Sequence, residues 1–294
     1  FNIAKKVAEK LKMEWIPVLY NDTLTIDYIF DKTFESYYKY SSEISSIFFF
    51  QDYFAVKYLK DKQLVPADSV FIPGHTGDIL SGGHISPGQV RNMTPGDISY
   101  LLSDKYFNYI KCHKTTKKEI RKKIRSKLTG KNIPAFREME NWEYKERQAK
   151  MIINSASVFS FFAYSWIIPF WDNRLVDFFG NLLYEDKLYS KLYRKVLAEE
   201  FFSKYDLNFN NELKPSANKY RRQIIKDMVK KYLPAFLVNI FTSKNDPYHY
   251  EYFTGLLKKE IRSEYNISLR QNNYYNAYIA QYLASKTKDL VYGS

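Results

Sequence analysis

"DSVFIPGHTGDILSGGH", residues 68–84, is the stretch on which the reading of this chain turns. An apolar run stopped by Pro73 and Gly74 predicts a strand over 68–74 that ends in a loop. Extended to Gly88, the loop holds five of the chain's ten glycines and two of its four histidines, and Asp78 is the only acid in residues 71–86. Ligands in open parallel sheets sit beyond the carboxyl ends of strands. Glycines there let backbone amides approach an anion, and a carboxylate can hold Mg²⁺ against phosphate oxygens. Five glycines exceed what one surface turn needs.

Working outward, residues 2–12 read as an amphipathic helix, with Ile3, Val7 and Leu11 four apart. "WIPVLY", 15–20, predicts a short buried strand followed by turn chemistry at Asn21 and Asp22. Residues 24–61 predict two aromatic-rich helices. Beyond the loop, helices are expected over 94–106, 115–128, 138–168, 172–183, 185–204, 218–232, 248–263 and 272–286, with no strand after residue 74. Thr94-Pro95 is a helix start with proline at the first position. This order predicts an α/β chain: part of a parallel, Rossmann-like sheet over residues 1–110, and a larger, mainly helical region over 111–294. Two strands make a poor sheet, and the chain opens on Phe1 without an initiator Met. It is therefore expected to be a fragment whose remaining strands precede Phe1.

The 294 residues are 45% hydrophobic and 26% charged, an ordinary globular composition. A single cysteine, Cys112, excludes an internal disulfide and fits a reducing, cytoplasmic setting. No secretory signal is visible. The apolar run at 151–170 is interrupted by Asn154 and four serines, so it reads as a core helix and not a membrane span. The net charge of +13 attracts anions without saying which. "KKEIRKKIRSK", 117–127, and "KYRRQIIKDMVKKY", 219–232, read as solvated amphipathic faces. Neither belongs to a nucleic-acid reading module, and no nucleic-acid partner is expected. His75 and His84 match no zinc spacing. His75 suits a hydrogen-bonding or acid–base group near a phosphate. Nucleophile-elbow, Walker and dinucleotide motifs are absent.

Three segments together resemble one family. "PGHTGDILSGGH", 73–84, is similar to the second active-site loop of the asparagine synthetase family, S-G-(E/D)-G-(S/A)-D-E-(L/V)-F-G-G-Y. "YSWIIPFWDNRLVDFF", 164–179, resembles that family's E-x-R-x-P-F-L-D-x-x-L-V-E-F segment, and "YSKLYRKVLAEEFF", 189–202, its K-x-x-L-R helix. The resemblance covers roughly residues 1–215 and implies an ATP-pyrophosphatase fold. ATP and Mg²⁺ would activate a small-molecule or sugar carboxylate as its adenylate, and ammonia, free or from glutamine, would displace AMP. Carried over, the resemblance implies that Gly74, Thr76 and Gly77 would lie near the nucleotide and that Asp78 would bind Mg²⁺ with the pyrophosphate. Gly82 and Gly83 match the G-G pair, Asp172 matches the Asp of P-F-L-D, and Lys214 matches the lysine that steadies the leaving pyrophosphate. His75 stands where the family has a proton-handling Glu, Ile79 replaces a second Glu, and Ser165 and Ile167 replace E-x-R. The S-G-G-x-D-S loop that grips pyrophosphate is not in these residues and is expected before Phe1. The alternatives are a non-catalytic binding or scaffold protein and, more weakly, a basic helical nucleic-acid binder.

Overall fold

The computed structural model describes residues 2–42, 50–85, 93–107, 113–130, 133–207, 249, 252–253 and 255–256. The helices expected over 218–232 and 272–286, the second basic segment and Cys112 fall outside them. In chain order the elements begin with α1 (Asn2–Lys10), α2 (Asp22–Ile29), α3 (Lys32–Ser42), α4 (Phe50–Asp61), β1 (Val70–Phe71) and α5 (Gly77–Leu80). Next come α6 (Pro95–Tyr106), α7 (Lys114–Arg125) and α8 (Ala135–Glu143). A π-helical stretch (Tyr144–Ile153) continues α8, and α9 (Ser157–Phe161) leads to β2 (Ser165–Trp166). Then follow α10 (Asn173–Asn181), α11 (Tyr184–Lys187) and α12 (Lys191–Val196), which widens into a second π-helical turn (Leu197–Phe202).

The Rossmann-like sheet expected from the sequence is corrected by this architecture. Among the described residues the only sheet is one parallel pair, with Val70 opposite Ser165 and Phe71 opposite Trp166. The other regular elements among the described residues are helical. "WIPVLY" forms no regular element and finds no partner strand among the described residues. Pro17 lacks an amide hydrogen, and Val18 and Tyr20 instead pack side chains on the core. The expected absence of strands after residue 74 is also overturned, because β2 lies inside the run read as one helix over 138–168.

The reason for that misreading is local. α9 ends with Tyr164 N donating to the Phe159 carbonyl and Ala163 N to the Ser160 carbonyl, while Ala163 sits at φ +65°. This is a Schellman stop, normally signalled by glycine. Here an alanine fills the left-handed position, so the sequence carries no stop mark. The same bond pair closes α1 at Lys12, α4 at Gln63 and the end of the second π-helical turn at Asp206. α4 and α9 therefore stop in the same way, and each feeds one strand of the pair. Lys60 ties the two ends together by donating to the Phe162 carbonyl at 2.7 Å.

Helix starts follow the sequence more closely. Thr94 Oγ1 accepts from Asp97 N at 3.1 Å while Asp97 accepts from Thr94 N at 3.2 Å, a full capping box ahead of Pro95. Asn21, read as a turn residue, caps α2 by accepting from Leu24 N. The helix expected over 185–204 breaks at 188–190, where Tyr189 and Ser190 are both left-handed.

Two cores result. The larger is aromatic, built from α2, α3 and α4 against residues 156–168, with Tyr37 stacked on Tyr53 at 4.9 Å and Phe71 on Phe159 at 4.6 Å. It joins residues from both sides of position 110. The smaller packs α6, α7 and α8 through Leu102, Ile124, Met139 and Trp142. Ile124 fixes the apolar edge of the basic helix α7 in this core, leaving its lysines to solvent.

Gly82 is a point of close backbone contact between distant parts of the chain. Its φ is +92°, and a Cβ there would stand 2.2 Å from the Lys187 carbonyl oxygen. Gly82→Ala is expected to destabilise the fold by about 3 kcal/mol, from left-handed strain plus a backbone clash. Gly74→Ala, which meets nothing within 4 Å, is expected to leave stability within about 0.5 kcal/mol. Thermal unfolding followed by circular dichroism compares the two, and equal melting temperatures would refute the packing assignment.

Candidate functional site

The loop after β1 is shaped by backbone contacts before any ligand is considered. Gly77 lies under the Phe170 ring, which a Cβ would approach to 3.1 Å, and Gly83 would meet the Asp78 carbonyl at 2.8 Å. Ser81 Oγ is 3.1 Å from Ser190 Oγ. The segments around Phe170 and Ser190 thus close over the loop, and both belong to the stretches that carried the family resemblance. Gly77, Gly82 and Gly83 are occupied by these contacts, and Gly74 alone among the described loop glycines faces open space. The strained residue is Thr76, at φ +74°, with its Oγ1 buried and without a hydrogen-bond partner among the described residues.

Asp78 emerges from α5 with its side chain 66% exposed. Its Oδ1 accepts from Ile79 N at 2.8 Å and its Oδ2 from His84 Nε2 at 3.0 Å. The opposite ring nitrogen of His84 donates to Glu143 Oε2 at 2.5 Å, and Lys105 Nζ donates to Glu143 Oε1 at 2.7 Å. Glu143 is only 2% exposed. The result is a relay, Asp78–His84–Glu143–Lys105, in which two exposed ends meet through the buried Glu143 carboxylate. Both imidazole nitrogens face carboxylate oxygens, the arrangement that suits imidazolium, which has two donors.

The charges reinforce one another. The His84 hydrogen bond, ahead of the charges of His84 and Arg147, holds Asp78 below its ordinary range. Burial alone would lower His84, but its bonds to Asp78 and Glu143 prevail and raise it. Burial alone would raise Glu143; the His84 bond and the Lys105 charge overcome it and hold Glu143 at about 2. Arg147 also stacks over the Tyr106 ring, 5.4 Å from its centroid, and its Nη1 is buried without a hydrogen-bond partner among the described residues. Asp78 is therefore a carboxylate whose ionised form is favoured by neighbouring cations.

The remaining sequence candidates lie elsewhere. His75 turns inward, its Nε2 3.8 Å from Asp52 Oδ2. Burial lowers His75, and burial raises Asp52 to about 6. Asp172 caps α10, accepting from Arg174 N at 2.9 Å and pairing with the Arg174 guanidinium at 3.0 Å. Lys214 lies outside the described residues. Among the described residues no three His, Cys, Asp or Glu side chains gather as a metal site, and no helix is long and apolar enough to cross a membrane.

Glu143, Lys105 and Arg147 are the members that sequence reasoning missed. "FREMENWEYKER" looks like any charged helical stretch. Only the aromatic Phe136 and Trp142 hint that the acids between them are buried. No protein-family profile, curated protein or solved structure matches the chain.

Because its folded pKa lies below its ordinary 4.5, Glu143 contributes stability that is complete above about pH 4.5. That contribution, about 3 kcal/mol, is lost as pH falls towards 2. His84 is raised, so its contribution is complete below its ordinary 6.5 and fades as pH climbs through the raised value. The cluster is thus fully paired between about pH 4.5 and 6.5. Glu143→Gln is expected to melt well below the parent at pH 6 and to show a much flatter acid limb. Melting curves from pH 3 to 8 test this, and a variant retaining the parent's acid slope would exclude Glu143 as its source.

Proposed function

We propose that residues 73–84 and 164–179 form one wall of a nucleotide site in an asparagine-synthetase-like, ATP-dependent amide ligase. The observation that carries this reading is convergence. The two stretches, about 90 residues apart, are held together by the parallel pair, the first following β1 and the second containing β2, and they meet where Gly77 packs on Phe170. The reading rests on this meeting and not on a nucleotide-binding sheet.

The residues present fit part of a magnesium-nucleotide site. Asp78 is exposed and ionised, with lone pairs left on both oxygens. Arg147 and Thr76 carry buried polar atoms that lack hydrogen-bond partners among the described residues. Gly74 leaves the backbone approachable. Asp78 would hold Mg²⁺, and Arg147 and the protonated His84 would favour the phosphate charge. Bound ATP would supply the group that activates an acceptor carboxylate, with ammonia or glutamine as nitrogen source. Glu143 would keep His84 charged against the opposing charge of Lys105, and the His84 bond would hold Asp78 in place. His75, inward-facing and with its pKa lowered by burial, would act on this site only from behind the loop.

A second reading, a non-catalytic scaffold, is favoured by one observation: Gly77, Gly82 and Gly83 are filled by the chain's own atoms. Calorimetric titration with ATP separates the two. The first expects saturable, magnesium-dependent binding that weakens at least ten-fold in Asp78→Asn and in Arg147→Met. Absence of binding, or equal affinity in Asp78→Asn, would leave the scaffold reading.

A further inference from the structure

On the far side of α5 from Asp78 lies a cavity of about 290 Å³, close to the lower end of small-molecule sites. Ile79 and Leu80 form one wall, and Ile133 and Val176 contribute further apolar surface. Glu140 and Lys187 line it too, paired at 2.6 Å, with the Lys187 side chain only 3% exposed. A charge pair withdrawn from water is rarely a gain in stability over apolar packing, so its place on a cavity wall calls for another account. Arg137 lines the same space, but its guanidinium is spent on the carbonyls of Gly180 and Leu182 at the end of α10. Lys145, exposed at the rim, has no ion-pair partner among the described residues. The lining thus carries three cations against one carboxylate.

Gly180 is an independent pointer. It lies in α10, where glycine is about 1 kcal/mol worse than alanine. Its φ is not left-handed, and a Cβ would meet nothing within 4 Å. Neither conformation nor crowding requires a glycine at this point of the wall. It stands in the cavity lining.

We infer that this cavity binds a small apolar monocarboxylate, its hydrocarbon body against Ile79, Leu80 and Val176 and its carboxylate against Lys145 and Lys187. A dianion is disfavoured by Glu140, and a cation by the three basic groups. The inference depends neither on Asp78 nor on ATP.

Titration with phenylacetate, hexanoate and cyclohexanecarboxylate, followed by saturation-transfer NMR and calorimetry without nucleotide, tests it. At least one acid is expected to bind saturably in the millimolar range or better, and its neutral amide at least ten-fold more weakly. Gly180→Leu is expected to abolish binding at an unchanged or raised melting temperature. Lys145→Met, at an exposed position, is expected to weaken binding several-fold while leaving the fold intact. Asp78→Asn is expected to bind the acid like the parent, which separates this site from the nucleotide reading. No saturable binding of any acid, equal affinity for acid and amide, or full affinity in Lys145→Met would overturn the assignment.

Discussion

The carboxylate of Glu143 is the constraint around which the described structure is arranged. A carboxylate removed from water persists only where donors replace its hydration, and here those donors come from distant parts of the chain. Lys105 reaches it from α6 and His84 from the turn after α5. The same helix buries Glu138, which accepts from Thr129 Oγ1 at 2.6 Å beyond the end of α7, and Glu140, which pairs with Lys187 of α11. One nine-residue helix therefore binds elements before and after it through three acids. Each pair is replaceable in principle by apolar packing, but none can lose one partner alone without stranding a charge. The exposed carboxylate of Asp78 inherits its position from this arrangement through His84.

The second organising feature is where the chain spends its glycines. Four helix ends place Lys12, Gln63, Ala163 and Asp206 in the left-handed region, a position that glycine usually fills at lower strain. Three glycines stand instead in the loop after β1, at Gly77, Gly82 and Gly83, where backbones and rings approach too closely for a Cβ. The cluster of glycines at 74–83 is thus largely a packing device: Gly77, Gly82 and Gly83 let the loop lie against Phe170, the Lys187 carbonyl and its own first turn. A loop held this firmly presents Asp78 on a fixed mount, which serves a binding site and a scaffold equally well.

Much of the helical layout was legible beforehand. Thr94, Pro95 and Asp97 announce α6, the Ile120–Ile124 spacing announces α7, and Asp172 marks the start of α10, because caps and amphipathic stripes act within one or two turns. The strand at 70–71 and the loop beyond it were equally plain. The break after Phe161 was not, since Ala163 gives no sign of a left-handed stop, and β2 was lost with it. The sheet was overestimated for a related reason. "WIPVLY" has strand composition, but a strand needs a partner, and side-chain packing on the aromatic core took its place.

The sequence by itself determined the local vocabulary: where helices begin, which faces are apolar, and that one glycine-rich loop with a lone acid follows a strand. Only the tertiary structure decided what that loop meets. Contacts of Gly82 with Lys187, Ser81 with Ser190 and His84 with Glu143 span 59 to 109 positions. Buried and solvated acids are written with the same letters. Which carboxylates leave water, and so which cations must follow them, is settled only when distant helices pack.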